Sequence, residues 1–372
     1  MRAPLGSREM LRMKVDLEPS LAWTADGLAR DPGWRFSIDE GAREYLRTMI
    51  TRLADPDCPL FEHKPSDFDL GPARRVLHAA FEHAKHRSGI ALVRGLPREG
   101  LTAAQFRLLT WAIGLQMGVP RPQGKATQYL SEVRDAGNAY RTGTGRGYSS
   151  KAELDYHTDS ADLVALSCFN RAASGGMSIV TSSHAAYRAF ASEQPDALDW
   201  LHQPLAFSRQ GEEAPDEGPF VVQPVFDTAQ GRLFGRWNWN RVRSAQAIDA
   251  APRLAATHRQ ALEQFDLLLR RADLAHSMWL EPGDLQILNN HTTVHSRTEF
   301  VDHTEPGQQR LLFRLWIAPP DSVELPESWR DLFRSTAPGA VRGGIRGHDW
   351  DEGCRAFEAR QAGELGLKPA AD

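Results

Sequence analysis

A histidine and an aspartate lie two positions apart in the stretch Leu154-Asp155-Tyr156-His157-Thr158-Asp159. In an extended strand, residues i and i+2 point to the same face, so an imidazole nitrogen of His157 and a carboxylate oxygen of Asp159 can reach one point in space. With a second histidine they would form the two-histidine, one-carboxylate set that holds non-haem Fe(II) and leaves coordination positions open. The pair alone is weak evidence, because His-x-Asp arises often by chance.

His295, just after the apolar run Leu285–Leu288, is the expected third ligand. A lone histidine in such a place is more often a satisfied core residue, so its neighbours decide the interpretation. Arg310 and Arg314 lie four positions apart in an apolar run, and even spacing on a strand predicts that both point into the interior. Buried arginine needs an anionic partner, and its fork suits a carboxylate. An internal salt bridge and a bound carboxylate ligand both remain open.

The elements that must position these residues are short strands separated by turns, with helices mainly near the N-terminus. Helices are predicted over Glu40–Leu53, Pro72–His86, Ala103–Ile113 (from Thr102 to a stop at Gly114), Ser183–Phe190 and Pro252–Ala272. Strands are predicted over Ile90–Val93, Leu163–Cys168, Met177–Thr181, Leu233–Asn240, Leu285–Leu288 and Arg310–Ile317. The pattern predicts a mainly β fold with α cover, either a β-sandwich or a jelly roll flanked by helices.

The chain contains neither a clear linker nor an internal repeat, which favours one continuous unit. We expect residues 1–88 to form an N-terminal helical cover of the same domain. Residues 89–320 would form the jelly-roll core, with a helical insertion at about 250–274. Residues 321–372 would be a C-terminal closing segment.

The composition limits the classes of partner that the chain is expected to bind. The chain has 372 residues and a net charge of −4, which gives no basic surplus for nucleic acid or an anionic membrane. No apolar run approaches the roughly 20 residues of a membrane span. The three cysteines include no CxxC pair, which favours a cytoplasmic location. A small-molecule substrate is therefore expected, and a homo-oligomer is left open.

Two further patterns point away from other sites. Gly143-Thr144-Gly145-Arg146-Gly147 lacks the Gly-Lys-Ser/Thr ending of a phosphate loop, so the stretch Ala136–Ser150 is interpreted as a long loop beside the site, with a lid role left open. His78, His83 and His86 on the second helix fit a solvated helix face better than a metal site.

Several separated motifs occur together in a fixed order. They are Gly147-Tyr148, Leu154, His157-Thr158-Asp159, Ser174-Gly175-Gly176, Pro282-Gly283-Asp284, Asn289-Asn290, His295-Ser296-Arg297-Thr298 and Arg310-x-x-x-Arg314. From about Gly89 to Pro319 the chain resembles the taurine/2,4-dichlorophenoxyacetate dioxygenase (TauD/TfdA) family of Fe(II)- and 2-oxoglutarate-dependent oxygenases. The resemblance implies a double-stranded β-helix, the jelly-roll alternative, and O₂ as oxidant.

The resemblance also implies roles for individual residues. His157, Asp159 and His295 would be the catalytic iron ligands. Arg310 would bind the distal carboxylate of 2-oxoglutarate, and Ser178 would replace a family threonine that contacts this cosubstrate. The substrate contacts would be Arg314, Glu153, Tyr156 and Trp237, with Tyr148 and Trp239 as further pocket walls.

The implied reaction is oxidation of an unactivated C–H bond of an amino-acid-like or natural-product substrate, with release of succinate and CO₂. Hydroxylation is the expected outcome; desaturation, cyclisation and epimerisation use the same chemistry. The gap from His295 to Arg310 is longer than in the taurine enzyme, and Glu153 replaces an amide there, so taurine is not the expected substrate. Asp159 argues against halogenation, which needs a small residue at that position. A non-catalytic jelly-roll binding protein and a zinc hydrolase are the rival classes.

Overall fold

The structure is a computed structural model that describes residues 18–53, 55, 58–137 and 147–368. Most of the loop Ala136–Ser150 lies outside the described residues, as does the side chain of Tyr148, so the lid hypothesis and the role of Tyr148 as a pocket wall are not addressed by the structure.

The described residues form helices and strands in a mixed order. The helices are α1 (Ala25–Arg30), α2 (Glu40–Leu53), α3 (Ala73–His86), α4 (Ala103–Met117), α5 (Ser183–Glu193), α6 (Leu198–Leu201), α7 (Trp239–Ala245), α8 (Ala256–Leu269), α9 (Arg330–Phe333) and α10 (Glu352–Leu365). The strands are β1 (Arg35–Ser37), β2 (Ile90–Arg94), β3 (Val119–Arg121), β4 (Leu130–Val133), β5 (Leu154–His157), β6 (Leu163–Asn170), β7 (Ser174–Gly175), β8 (Ser178–Ser182), β9 (Leu205–Ser208), β10 (Phe220–Gln223), β11 (Phe226–Ala229), β12 (Arg232–Gly235), β13 (Ala275–Met278), β14 (Leu285–Asn289), β15 (Thr293–Arg297), β16 (Phe300–Val301) and β17 (Leu311–Ala318).

Two sheets form the centre of the fold. The larger sheet has the strand order β1-β2-β14-β6-β17-β3, with β4 also paired to β17, and the smaller sheet has the order β13-β8-β15-β5. Apart from β1 with β2, these strands pair antiparallel. From β4 to β8, and again from β13 to β17, the strands of these two sheets alternate between the larger and the smaller sheet along the chain, as in a jelly roll. The predicted double-stranded β-helix with α cover is confirmed.

Three apolar clusters hold the layers together. Helices α2, α3 and α4 pack on the outer face of the larger sheet around Leu46, Leu77 and Trp111. A second cluster, which includes Tyr156, Phe265 and Trp237, joins the smaller sheet to α5 and α8. A third cluster lies between the sheets, where residues such as Val164, Val180 and Leu288 meet. Burying both faces of each sheet fixes the strand register, because a slip of one residue would turn apolar side chains outward.

Local expectations were mostly right, with two instructive errors. Thr102 caps α4 as predicted, with its side chain accepting from Gln105 N. The helix nevertheless continues through Gly114 to Met117, with Gly118 as its C-cap, because Gly114 lets α4 pack closely against Leu315 of β17. The second error is the predicted strand Leu233–Asn240.

That stretch is divided between two elements. It gives β12, which ends at Gly235, and then α7, which starts at Trp239. Asn238 is the N-cap of α7, and its side chain accepts from Arg241 N at 3.0 Å.

Among the described residues, none of the helices has the length and apolarity that a membrane-crossing segment needs.

Candidate active site

His157 and His295 meet because their strands pair. His157 ends β5, and its register partner on β15 is His295, with ring centroids 4.3 Å apart. Asp159 lies two residues beyond β5, and its Oδ2 is 3.8 Å from His295 Nε2. One ligand atom from each of the three residues lies within 4.8 Å of the others. Residues distant in the chain are thus brought within reach of one metal ion.

Backbone contacts orient two of these side chains. His157 Nδ1 lies 2.9 Å from the carbonyl oxygen of Asp155 and must donate to it, which leaves Nε2 as a free electron pair for a metal. Asp159 N donates to Asn290 Oδ1 at 3.0 Å, and Asn290 Nδ2 donates to the Ala161 carbonyl at 3.0 Å. Asn290 therefore fixes the turn that carries Asp159.

The ionisation of the three groups suits a divalent cation. Burial opposes charge on Asp159, but Arg314, His295 and His157 outweigh it and hold the pKa of its carboxyl below the usual range. Burial lowers the pKa of His157, and burial together with the neighbouring His157 lowers the pKa of His295 to about 3. Near neutral pH the set is thus one carboxylate and two neutral imidazoles, the donors that Fe(II) takes in such a triad.

Asp159 Oδ2 supplies a test of fit for the metal. This oxygen is buried and has no hydrogen-bond partner among the described residues, whereas Oδ1 accepts from Arg314 Nη1 at 3.4 Å. A buried, unpaired carboxylate oxygen is costly unless a cation binds it. The donor set therefore fits Fe(II), which His157, Asp159 and His295 can hold.

A small cavity of about 50 Å³ extends from the two histidines toward Arg310 and Ser178. Arg310 lies directly before β17, is 5% exposed, and its Nη1 donates to the Val133 carbonyl at 3.3 Å. Its guanidinium carbon lies 5.0 Å from the centre of the Phe300 ring. Burial lowers the pKa of Arg310 to about 10, and no carboxylate of the described residues forms an ion pair with it. This buried cation lacks an anion and faces the same cavity as the histidines.

Ser178 lies across this cavity, on β8. Its hydroxyl donates to Gln286 Oε1 at 3.0 Å, so Gln286, which the sequence reading missed, sets its orientation. Gly176 lines the cavity with a φ of +78°, and a Cβ there would lie 3.2 Å from Arg310 Nε. A bound dicarboxylate could contact a guanidinium at one end and the metal position at the other.

A second cavity, of about 90 Å³, opens on the other side of His157 and Arg314. Its wall is polar and includes residues that the sequence reading missed: Gln210, Glu212, Asn238, Asn240 and Arg241. Arg241 Nη2 pairs with Glu212 Oε2 at 2.8 Å, which makes this part of the wall rigid. Gln210 has a φ of +57°, a left-handed conformation that non-glycine residues adopt at a cost.

Three residues expected to contact substrate lie elsewhere. Glu153 is half exposed, and its Oε1 pairs with Arg270 Nη1 at 3.3 Å. Tyr156 packs in the second apolar cluster, since it faces away from its neighbour His157. Trp237 is fully buried there, donates from Nε1 to Asp266 Oδ1 at 3.3 Å, and stacks on Trp239, which is also in that cluster. The side chains of Trp237–Asn240 do alternate between two sides, as the sequence predicts. Asn238 and Asn240 face the cavity, whereas Trp237 and Trp239 lie in the apolar cluster.

A larger cavity of about 560 Å³ lies away from the ligand set, around the turn between β14 and β15. A further possible metal group, Glu82 with His86 and Asp321, is an ion-pair network on the protein surface, because Lys85 Nζ lies 2.5 Å from both Glu82 Oε1 and Asp321 Oδ2.

The jelly roll and its triad define the class of non-haem iron oxygenases that use a 2-oxo acid. Residues 55–316 match the family model described as "Taurine catabolism dioxygenase TauD, TfdA family". The match covers more than half of the chain, so the chain belongs to this family. It is an Fe(II)- and 2-oxoglutarate-dependent oxygenase that acts on a small molecule.

Named relatives come from a bacterium and a fungus. The chain is 28% identical over 298 residues to FR-33289 synthase of Streptomyces rubellomurinus, with 79% of this chain and 88% of that protein covered. It is 24% identical over 345 residues to the taurine hydroxylase-like protein SAT17 of Stachybotrys chartarum, with 86% of each chain covered.

Solved structures share the fold. Asparagine oxygenase in complex with Fe(II), 3-hydroxyasparagine and succinate superposes with a TM-score of 0.58 at 21% identity, over 82% of this chain and 99% of that chain. The non-haem iron oxygenase OrfP with Fe and α-ketoglutaric acid gives a TM-score of 0.55 at 17% identity, over 76% of this chain and 93% of that chain.

Proposed function

We propose that this enzyme hydroxylates a C–H bond of a small, polar, amino-acid-like or natural-product substrate. The observation that carries the proposal is the convergence of His157, Asp159 and His295 around the unpaired Asp159 Oδ2. In this proposal the three side chains bind Fe(II), and Arg310 and Ser178 bind 2-oxoglutarate. With O₂, the bound iron and cosubstrate supply the oxidation of the substrate and the release of succinate and CO₂.

The protein's own residues hold and orient the reactants. Arg310 neutralises the distal carboxylate of the cosubstrate. Because the cavity is buried, water screens the attraction between these two charges less than it would at the protein surface. Arg314 lines both cavities and supports the ligand Asp159, whose Oδ1 accepts from its Nη1 at 3.4 Å. The apolar cluster between the sheets keeps bulk water from the region behind the triad.

The polar cavity wall supports the proposed substrate class. Asn238, Asn240 and Gln210 place side-chain amides in this wall, and amides match amide, hydroxyl and ammonium groups of a substrate. The relatives agree in kind: one solved structure holds hydroxyasparagine, another holds (3S)-hydroxy-L-arginine, and FR-33289 synthase is named for a natural product. Asp162 and Glu153 take no part, because Asp162 is buried against Arg342 and Glu153 pairs with Arg270.

We also propose a location for the enzyme in the cell. Cys58, Cys168 and Cys354 are all unpaired, which supports a reducing, cytoplasmic compartment.

The test is succinate formation from 2-oxoglutarate with Fe(II) and O₂, screened over free amino acids, their amides and their N-acylated derivatives. Turnover should rise at least tenfold with a true substrate over the uncoupled background. Asp159→Ala should reduce coupled turnover to background, because the metal loses the carboxylate of its protein ligand set, and the circular dichroism spectrum should stay unchanged.

Glu153→Gln is the matched control, since it neutralises a nearby carboxylate that faces Arg270 and not the cavity. Its rate should stay within about twofold of wild type. Wild-type turnover in Asp159→Ala would remove aspartate from the ligand set and sink the proposal.

A further inference from the structure

Arg236 is a buried guanidinium with few partners. It directly follows β12 and is 3% exposed. Of its five N–H donors, one donates to the Asp159 carbonyl at 3.5 Å and one to Ser160 Oγ at 3.2 Å. Its Nε has no partner among the described residues, and no carboxylate of that part of the chain forms an ion pair with it.

The neighbouring charges do not compensate Arg236. Two arginines, Arg209 and Arg241, are near enough to oppose its charge, and of the carboxylates only Asp159 favours it. An arginine side chain stays protonated in proteins, so Arg236 is a buried cation. Asp159 is also a ligand of the proposed iron site, so its negative charge is shared between the metal and Arg236.

The carboxylates near Arg209 and Arg241 are also committed. Glu212 pairs with Arg241, and Glu217 lies 3.6 Å from Arg209, 3.5 Å from Arg334 and 3.4 Å from Arg346. Arg209 Nε is buried and has no partner among the described residues. Glu213 also favours the charges of Arg209 and Arg241. Arg236 is therefore the member of the group that has no carboxylate of its own among the described residues, a costly arrangement in a buried region.

The three arginines line one small void together with Ser160, Ser208, the carboxylate Glu212 and apolar side chains that include Phe207. The void has a volume of about 10 Å³, room for roughly one water-sized atom. It shares Ser160, Glu212 and Arg241 with the substrate cavity, so it extends that cavity behind Asp159. Arg209 and Arg236, each with a buried and unpaired Nε–H, thus line a space of the size of one halide or one anionic oxygen.

We propose that the void between Arg209, Arg236 and Arg241 is an anion-binding subsite of the substrate cavity. Its occupant is either one oxygen of an anionic substituent on the substrate or a free halide. The substrate as source rests on the proposed function, whereas the site itself follows from the arginine geometry. Arg314 and this subsite would then bind a substrate at two points, which restricts which C–H bond faces the metal.

The experiment measures the thermal midpoint of the full-length protein, anaerobic, with Fe(II) and saturating 2-oxoglutarate. Sodium bromide, acetate or methanesulfonate is titrated at constant ionic strength against a bulky reference anion. We expect a saturable rise in the midpoint for wild type and at least a tenfold loss of anion affinity in Arg236→Met. Arg236→Lys should retain part of the effect because it retains the charge. Arg232→Met, an exposed arginine in the same hairpin, should behave as wild type.

The probes separate the two sources. A rise in the midpoint with bromide alone indicates that the occupant is a free halide. A rise with acetate or methanesulfonate indicates an anionic group of the substrate, because the methyl group of these probes stands for the rest of the substrate. Bromide-soaked crystals of wild type should show an anomalous peak between Arg236 and Arg241, a measurement that does not depend on the variant folding.

The proposal fails if wild type shows neither a saturable response nor this anomalous peak. It also fails if the response survives in Arg236→Met and disappears in Arg310→Met, because the anion would then occupy the cosubstrate cavity. Succinate formation measured in parallel reports on the proposed function separately, since it requires iron and cosubstrate but no added anion.

Discussion

The two arginines at the site differ in what surrounds each guanidinium. Arg314 Nη1 donates to the Asp159 carboxylate at 3.4 Å, and Arg314 Nε donates to Gln123 Oε1 at 2.8 Å. Among the described residues, the guanidinium of Arg310 contacts the Val133 carbonyl and the Phe300 ring, but neither a carboxylate nor a side-chain amide oxygen. Arg310 therefore has the most to gain from a carboxylate ligand, whereas Arg314 is already tied to the metal site.

Arg310→Met should raise the KM for 2-oxoglutarate far more than it changes the KM for the primary substrate. A charge-assisted hydrogen bond to a buried carboxylate contributes about 1.5–3 kcal/mol, so a rise of roughly 10- to 150-fold is expected. The measurement is succinate formation across a range of 2-oxoglutarate concentrations.

Arg314→Met is the comparison variant for Arg310→Met. It should weaken ferrous binding and primary-substrate use instead, because Arg314 contacts Asp159 and lines the substrate cavity. An unchanged 2-oxoglutarate requirement in Arg310→Met would show that the cosubstrate carboxylate binds elsewhere.

At the scale of elements, close packing overrides local propensity. Glycine ends helices often, yet Gly114 lies inside α4, where the helix crosses β17. A Cβ at Gly114 would lie 2.6 Å from Leu315 Cδ1, and Leu315 is itself buried. The missing side chain is what lets the helix approach the strand that carries Arg314.

Gly114→Ala should therefore destabilise the protein, although alanine favours helix more than glycine does. Overpacking of a buried contact costs about 1–3 kcal/mol, which exceeds the roughly 1 kcal/mol gained in helix propensity. Urea unfolding measures the free energy of unfolding directly.

Gly363→Ala is the matched control, because Gly363 also lies inside a helix, α10, but a Cβ there would meet nothing within 4 Å. It should stabilise the protein by up to about 1 kcal/mol. Equal effects of the two substitutions would mean that α4 can shift away from β17 without cost.

At the scale of the whole molecule, the C-terminal segment is bound to the core by buried ion pairs. Arg342 Nη2 lies 2.6 Å from Asp162 Oδ1, and both side chains are almost fully buried. Glu358 of α10 pairs with Arg121 at 2.7 Å and accepts from Tyr129 at 2.5 Å. Residues 321–368 thus form part of the fold that supports the Asp159–Asp162 turn.

Arg342→Leu should destabilise the protein by about 3–5 kcal/mol at pH 7, because it leaves the Asp162 carboxylate buried without its cation. Burial opposes charge on Asp162, but Arg342 and His291 outweigh it and hold its pKa well below the usual range. In wild type this stabilisation is complete above the unfolded-state pKa, near 4, and is lost as the pH falls toward the depressed folded-state value.

The stability deficit of Arg342→Leu should accordingly shrink between about pH 5 and pH 3, as Asp162 becomes protonated in the variant. Chemical denaturation at each pH measures it. Arg355→Leu is the control, since Arg355 pairs with Glu352 on an exposed helix face, and its stability should stay within about 0.5 kcal/mol of wild type. A similar deficit for both variants would show that burial of the Asp162–Arg342 pair is not what matters.

The sequence by itself indicated the class of fold, predicted the three metal ligands and located most of the longer helices and several strands. Amphipathic periodicity, N-caps such as Thr102 and the types of His157, Asp159 and His295 are local properties that the sequence shows directly. The motif order added Arg310 and Ser178, which the structure places in one cavity with two of the ligands.

Only the tertiary structure decided which side of each element faces the site. Alternation marks two faces of a strand or turn but does not say which one meets the cavity, so Tyr156 and Trp237 were assigned to the site while their side chains lie in an apolar cluster. Asn240, Arg236 and Gln286 emerged because their surroundings come from distant segments. Burial and the balance of charge depend on all packed neighbours at once, and those neighbours are set by strand pairing between remote parts of the chain.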